Sequence, residues 1–186
     1  MQKYILASAS PRRKELLSFV LDNYEIIPAN IDETQNEKES PTEYVKRMAK
    51  EKAQKIFNEN KNSTIIGCDT VVWLDKQIFP KPKNEDDAKR ILTALSGKAH
   101  NVTTAVAIID KNKYNIFEET TKVEFFELED KQINDYISFG EGFDKAGSYA
   151  IQGKGALFVK SICGDYFNVV GLPVAKLARK LQHLIN

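Results

Sequence analysis

Two adjacent arginines follow a short apolar run near the start of the chain. Residues 4–7 are apolar, and Ser10 and Pro11 precede Arg12 and Arg13. Ser10 is a good helix N-cap and Pro11 a good first helical residue, so both arginines fall in the first turn of a helix. The helix dipole disfavours positive charge there, whereas a bound phosphate would turn that cost into attraction. The pattern favours anion binding, with a solvated basic turn as the alternative.

Asp69 stands in the middle of the strongly β-like segment 64–74. A buried carboxylate costs several kcal/mol unless it is paired, protonated or bound to a metal. One interpretation is a strand-end aspartate that accepts hydrogen bonds from loop N–H groups. The other is a metal ligand or general base, presented at a strand end where open α/β sheets bind their ligands.

Three more side chains are candidates, each with a plain alternative. Lys81 lies between two prolines that stiffen its backbone, although such a tripeptide also suits an exposed turn. Glu33 lies in an acidic loop, where most carboxylates are simply solvated. Gln152 follows a short alternating segment bounded by glycines, 147–153, which we interpret as a strand. Its amide has a donor and an acceptor, enough to contact a base edge, but an exposed place at a β-bulge explains it equally.

The sequence lacks the motifs of several common enzyme classes. The sequence contains no Walker A loop, no Gly-x-Gly-x-x-Gly fingerprint and no Gly-x-Ser-x-Gly elbow. Ser96 and His100 are not a triad signal, and we expect a helix-ending turn with His100 bonded to a neighbouring loop. The chain has only two histidines, which argues against a His-rich zinc site. Carboxylates with phosphate oxygens suit Mg²⁺ or Mn²⁺ instead.

The composition narrows the class of protein and its partners. The chain has 186 residues, 42% hydrophobic and 28% charged, as expected for a single globular domain over residues 1–186. A net charge of +1 gives no basic field for nucleic acid. No apolar run reaches the roughly 18 residues of a membrane span. The two cysteines lie far apart in sequence, for which a reducing cytoplasm is the simplest setting.

The elements that must position these side chains alternate between strand and helix. We predict strands over residues 4–7, 24–28, 64–74, 102–109, 114–128 and 156–162. We predict helices over residues 11–19, from Pro41 with Ser40 as cap, from near Asn84 to Leu95, from Asp130 to Ser138, and from after Pro173 to about Leu184. This alternation, with a hairpin near residue 110, predicts an α/β fold with a mixed twisted sheet flanked by helices.

Taken in order, these segments resemble the Maf family of nucleoside triphosphate pyrophosphatases. The resemblance covers nearly the whole chain, and the order of its motifs makes it specific. Its residues are segments 6–13, 67–70, 95–97, 145–153 and 168–173, together with Glu33, Lys52, Ala53, Lys81, Pro82, His100, Val102 and Thr104.

The resemblance implies a fold and a reaction. The fold is elongated α/β, with two lobes around a central cleft, similar to house-cleaning inosine triphosphate pyrophosphatases. The reaction hydrolyses a nucleoside triphosphate to the monophosphate and pyrophosphate with a divalent metal, Mg²⁺ or Mn²⁺. Members with Ile-Gln-Gly after the tyrosine prefer dTTP and UTP, as residues 151–153 would indicate here. A sister group with Ser-Glu-Gly acts on 7-methyl-GTP.

The same resemblance assigns roles to residues. It makes Asp69 the proton acceptor, and makes Arg12, Thr70 and Gln152 determinants of substrate choice. The side-chain chemistry adds hypotheses: Glu33 and Asp69 hold the metal or orient the attacking water, and Lys81 acts with them in catalysis. The expected substrate-binding residues are Ser8, Ser10, Arg12, Arg13, Lys52, Thr70 and Gln152.

The sequence leaves two other functions open. One is a 7-methyl-GTP pyrophosphatase. The other is a nucleotide-binding regulator of septum formation without turnover, since the family name is linked to arrest of septum formation. The expected partner is a nucleoside triphosphate, with no nucleic acid and no membrane. The oligomeric state stays open, with a homodimer as one option.

Overall fold

A computed structural model describes residues 2–185, without the side chains of 183–185, so residues 1 and 186 of the expected domain lie outside it. The strands are β1 (Lys3–Leu6), β2 (Glu25–Ile26), β3 (Ser63–Leu74), β4 (Gln77–Phe79), β5 (Ala99–Ile109), β6 (Tyr114–Phe125) and β7 (Val159–Cys163). The helices are α1 (Pro11–Leu17), α2 (Pro41–Glu59), α3 (Glu85–Leu95), α4 (Asp130–Ser138), α5 (Tyr166–Val170) and α6 (Val174–Ile185).

The strands form one sheet of seven, in the order β2-β1-β3-β5-β6-β7, with β4 paired to β3. Strand β1 pairs parallel with both β2 and β3. By contrast, β4 runs antiparallel to β3, and β7 runs antiparallel to β6. The predicted α/β class with a mixed sheet is therefore confirmed.

Local signals set the start of α2. The Ser40 hydroxyl accepts a hydrogen bond from the Glu43 backbone N–H, and the Glu43 carboxylate accepts one from the Ser40 N–H. Pro41 occupies the first helical turn, where its missing N–H costs nothing. This capping box confirms the predicted start. The helix buries an apolar face that includes Val45 and Met48.

The chain divides into two compact units. Unit 1 comprises Met1–Asp69, Thr104–Glu119 and Gly171–Asn186, and unit 2 comprises Thr70–Thr103 and Thr120–Val170. The buried core of unit 2 consists of side chains from its strands, from α3 and α4, and from the segment after α4. Among the described residues, no helix is long and apolar enough to cross a membrane.

Three sequence predictions about strands are wrong in detail. Asp69 was expected at a strand end, but β3 runs unbroken for 12 residues and Asp69 lies inside it. Residues 147–153 are not a strand, because Gly147 and Ser148 have φ values of 71° and 60°. Positive φ is incompatible with extended backbone. The predicted strand 156–162 begins with a 3₁₀ turn over Lys154–Phe158, and only its second half belongs to β7.

Candidate active site

The close approach of α2 to β3 begins at Gly67. A Cβ at this position would lie 2.4 Å from the Ala49 carbonyl oxygen and 2.7 Å from the Ala53 nitrogen. Only a residue without a side chain lets the helix backbone pack this closely on the strand. Since side chains alternate along a strand, Asp69 points to the same face as Gly67. The contact therefore brings Asp69 next to the turn of α2 that carries Lys52.

Lys52 binds two carboxylates. Its Nζ lies 2.7 Å from Asp69 Oδ1 and 2.7 Å from Glu33 Oε1. Lys52 is 7% exposed and Asp69 is 9% exposed, whereas Glu33 is exposed. The cost of burying Asp69 is thus offset by an ion pair. The structure thus shows Asp69 as a paired carboxylate, and Glu33 binds the same cation.

The loop that carries Glu33 is held against α2 by side chains that sequence analysis did not single out. The Tyr44 hydroxyl donates to the Glu33 carbonyl at 2.8 Å, and Arg47 Nη2 donates to the Thr34 carbonyl at 2.9 Å. Arg47 also forms a two-point pair with Glu39, at 2.7 and 2.8 Å. Tyr44 and Arg47 are three residues apart on α2, a spacing that makes two side chains neighbours on the helix surface and could have identified them as a pair.

Burial and the charges of this cluster shift the pKa values of two neighbouring side chains, Tyr44 and Cys68. Burial, followed by the negative charges of Asp69 and Glu33, raises the pKa of Tyr44 to about 12. Burial also raises the pKa of Cys68 to about 11, against the opposing effects of Arg13 and Lys52. The Cys68 thiol therefore stays protonated at neutral pH and is not suited to act as a nucleophile.

The serine–arginine segment adopts the predicted helix start. Ser10 is the N-cap of α1 and accepts from the Arg13 N–H at 3.4 Å. The Ser8 hydroxyl accepts from the Ser10 N–H and from Arg13 Nη1, each at 3.2 Å. Arg13 Nε donates to the Gly171 carbonyl at 3.0 Å. Arg13 is therefore fixed by its own segment and by Gly171, the residue that follows α5, while Arg12 is half-buried in the first turn.

Asp69 and Glu33 are the two carboxylates of this cluster that could bind a divalent metal. Among the described residues, no group of three or more His, Cys, Asp or Glu side chains is arranged to hold a metal. Asp69 and Glu33 nevertheless converge on one positive charge, the Lys52 ammonium. Mg²⁺ is commonly bound by one or two carboxylates completed by phosphates and water. The two carboxylates fit that mode and would not form an all-protein cage.

The remaining predicted site residues belong to unit 2. Thr70 follows Asp69 on β3 and is half-buried. Lys81 is exposed, and Pro82 beside it is buried, which anchors the lysine backbone. Gln152 is exposed in a turn after the Gly147 segment, and not on the predicted strand.

His100 makes the loop contact that the sequence predicted. It belongs to β5, is fully buried, and its Nε2 shares a hydrogen bond of 2.9 Å with the Tyr149 hydroxyl. Burial lowers its pKa from 6.5 to about 4. The imidazole is therefore neutral at physiological pH, and its contact supports the segment just before Gln152.

Solved structures share this fold. A HAM1 protein from Coxiella burnetii aligns with a TM-score of 0.55 and 15% identity, over 98% of this chain and 100% of that one. The Staphylococcus aureus Ham1 protein aligns with a TM-score of 0.50 and 13% identity, over 67% and 72%. At such low identity the likeness concerns the fold alone.

Sequence relatives are much closer. A dTTP/UTP pyrophosphatase of Bacillus cereus strain ATCC 14579 is 48% identical over 182 residues, which is 98% of this chain and 95% of the relative. A dTTP/UTP pyrophosphatase of Bacillus cytotoxicus is 47% identical with the same coverage. Residues 3–184 match the family described as Maf-like protein, and the chain therefore belongs to the Maf family.

Proposed function

We propose that this protein hydrolyses nucleoside triphosphates, preferably dTTP and UTP, to the monophosphate and pyrophosphate. The observation that carries the proposal is the buried Lys52–Asp69 pair joined by Glu33, which provides a carboxylate base beside a fixed cation. It occurs in a chain 48% identical to a dTTP/UTP pyrophosphatase over 98% of its length. Family membership and geometry thus support the same reaction.

In the proposed reaction, water attacks the α-phosphorus. A new bond forms between the water oxygen and that phosphorus, while the bond to the bridging oxygen of the β-phosphate breaks. Pyrophosphate leaves with the bridging oxygen, and Asp69 accepts the proton of the water. Asp69 is suited to this role because Lys52, 2.7 Å away, fixes the carboxylate in one orientation.

Positive side chains would offset the charge that develops on the phosphates and on the leaving pyrophosphate. We assign this role to Arg13, Lys52 and Lys81. The contacts of Arg13 with Ser8 and Gly171 support it, since a guanidinium already held in place needs no reorganisation on binding. We assign Ser8 and Ser10 to hydrogen bonding with the substrate near the start of α1.

A divalent metal, Mg²⁺ or Mn²⁺, completes the proposal. Glu33 and Asp69 would hold it, because their oxygens are the ligand type that these ions prefer and both converge on a cation already. When bound, the metal would neutralise phosphate charge and polarise the reacting phosphoryl group.

Nucleotide selection is assigned to Arg12, Thr70 and Gln152. The amide of Gln152 can both donate to and accept from a base edge, which a glutamate at that position could not do. The tripeptide Ile151-Gln152-Gly153 favours dTTP and UTP over 7-methyl-GTP as substrates. In the cell, this hydrolysis would remove non-standard nucleotides, a role known as house-cleaning.

The proposal also covers the domain organisation, the cellular location and the partner of the protein. We propose that residues 1–186 act as a single Maf-like domain, supported by the family match over residues 3–184. We propose a cytoplasmic location, supported by the free thiols of Cys68 and Cys163. A net charge of +1 agrees with a nucleotide partner and gives no general affinity for nucleic acid.

A panel of triphosphates with Mg²⁺ or Mn²⁺ tests the proposal, with monophosphate and pyrophosphate both measured. We expect dTTP and UTP to give the highest kcat/KM, with pyrophosphate as the product. Preference for 7-methyl-GTP would reassign the protein to the sister group. Binding without turnover would favour a regulator, and release of single orthophosphates would contradict the proposed bond cleavage.

A further inference from the structure

The turn that presents Gln152 is held on both sides by side chains outside it. Before the turn, the Ala150 N–H donates to the Tyr136 hydroxyl at 3.1 Å. After it, the Lys154 and Gly155 N–H groups donate to the two oxygens of Glu141, each at 3.2 Å. We call residues 150–155 the Gln152 turn, and Tyr136 with Glu141 the turn clamp.

The two members of the turn clamp act on opposite ends of the Gln152 turn. The Tyr136 hydroxyl accepts from the Ala150 N–H, and the Glu141 carboxylate accepts from the Lys154 and Gly155 N–H groups. Burial, assisted by the charge of Glu141, raises the pKa of Tyr136 above its ordinary value, so its hydroxyl stays protonated at neutral pH. The hydrogen bonds to these two side chains thus restrain the Gln152 turn at its start and at its end.

The packing around the Gln152 turn leaves no room for a side chain at three glycines. A Cβ on Gly153 would lie 1.7 Å from Glu141 Oε1, and one on Gly155 would lie 2.6 Å from the Ala150 carbonyl. Next to Glu141, a Cβ on Gly142 would lie 2.2 Å from the Ser148 carbonyl. Gln152 itself is exposed, so its position depends on this support.

Glu141 does not belong to the apolar core. Tyr136 packs its ring against Phe158 at 4.9 Å between centroids and is 4% exposed. Glu141 is half-buried, and its carboxylate accepts hydrogen bonds from the Lys154 and Gly155 N–H groups of the Gln152 turn. Its carboxylate therefore acts on the conformation of this turn more than on the stability of the core.

We propose that Glu141, with Tyr136, is a positioning residue that holds Gln152 in the orientation for nucleotide selection. This inference rests on the proposed function, because the selected ligand is the base of the triphosphate. A turn free to adopt several conformations would present the amide correctly for only part of the time, and the preferred nucleotide would lose affinity.

Kinetics with two triphosphates test the inference. We expect Glu141→Gln and Tyr136→Phe each to lower the ratio of kcat/KM for dTTP to that for GTP about 10-fold, through KM for dTTP. Tyr136→Phe removes one hydroxyl and provides a second route should Glu141→Gln not fold. The matched control is Glu124→Gln, because Glu124 accepts from Lys160 and Ser161 on neighbouring strands of the same unit. It should leave the ratio unchanged.

A double-variant cycle separates positioning from a general structural effect. In a Gln152→Ala background, Glu141→Gln should not change the substrate ratio further, because the group that it positions is gone. An equal loss for dTTP and GTP, or the same loss of ratio with and without Gln152, would overturn the inference.

Hydrogen exchange distinguishes failure of this inference from failure of the proposed function. Glu141→Gln should increase exchange at the Lys154 and Gly155 amides at least about 10-fold, while the control variant leaves them protected. Unchanged exchange would overturn the turn clamp itself. A wild-type protein with no turnover would overturn the proposed function, and the exchange result would still decide whether Glu141 holds the turn.

Discussion

The Lys52 ammonium lies 2.7 Å from Asp69 Oδ1, on a helix that meets its strand where Gly67 has no side chain. The geometry of the ion pair thus depends directly on the packing of α2 against β3. A change in the helix–strand contact must also change the carboxylate proposed to accept the proton. The first predictions follow from this coupling.

Lys52→Met should destabilise the protein by about 3 kcal/mol at neutral pH, because it leaves the buried Asp69 carboxylate without its cation. Urea unfolding measures the change. Lys46→Met on the same helix is the control, since Lys46 pairs with the half-exposed Glu118 and should cost less than about 1 kcal/mol. Equal losses of stability in the two variants would show that the Lys52–Asp69 pair stabilises the protein no more than the Lys46–Glu118 pair does. Adding Asp69→Asn to Lys52→Met should recover part of the stability.

Gly67→Ala should lower both stability and turnover. The new methyl group would lie 2.4 Å from the Ala49 carbonyl, so α2 must shift away from β3 and carry Lys52 with it. We expect a loss of at least about 2 kcal/mol by denaturant unfolding, the scale of an overpacked core. Gly140→Ala is the control, because nothing lies within 4 Å of its added Cβ and only its positive φ is strained. A Gly67→Ala protein as stable and active as wild type would contradict the close-packing argument.

Asp69→Asn should reduce turnover of dTTP at least about 100-fold, the usual scale for loss of a general base, while the protein stays folded. The amide keeps the shape of the side chain and leaves Lys52 paired with Glu33. Steady-state kinetics measure the loss, and circular dichroism checks the fold. Near-normal turnover would remove Asp69 from the mechanism.

His100 should make stability depend on pH. Its pKa is lowered to about 4 by burial, so between about pH 4 and pH 6.5 the unfolded chain binds a proton that the folded protein does not. The contribution of neutral His100 to the free energy of unfolding is fully present above about pH 6.5 and is lost as the pH falls towards 4. It amounts to about 3 kcal/mol. Unfolding of wild type and His100→Gln across this range measures it. Parallel curves for the two proteins would refute the contribution.

The sequence predicted those parts of the fold that local signals determine. The capping box at Ser40 and Glu43 marks the start of α2, and Ser10 with Pro11 marks α1. Segment 147–153 was misassigned because its conformation depends on positive φ and on the hydrogen bond from the Ala150 N–H to Tyr136, which no periodicity reveals.

The candidate site was predicted residue by residue but not as an arrangement. Asp69, Glu33 and Lys52 were each identifiable by type and resemblance, yet they meet only through the close approach at Gly67. Tyr44 and Arg47, which hold the loop of Glu33, were missed because their partners are backbone carbonyls distant in sequence. Such contacts arise from tertiary packing, which a single sequence does not display.

The central claim is that water attacks the α-phosphorus, and oxygen-18 labelling tests it most directly. The protein is incubated with dTTP in labelled water, and both products are analysed by mass spectrometry. The mechanism predicts one labelled oxygen in the monophosphate and none in the pyrophosphate, because the new bond forms at the α-phosphorus. Label in the pyrophosphate, or in released orthophosphate, would contradict it.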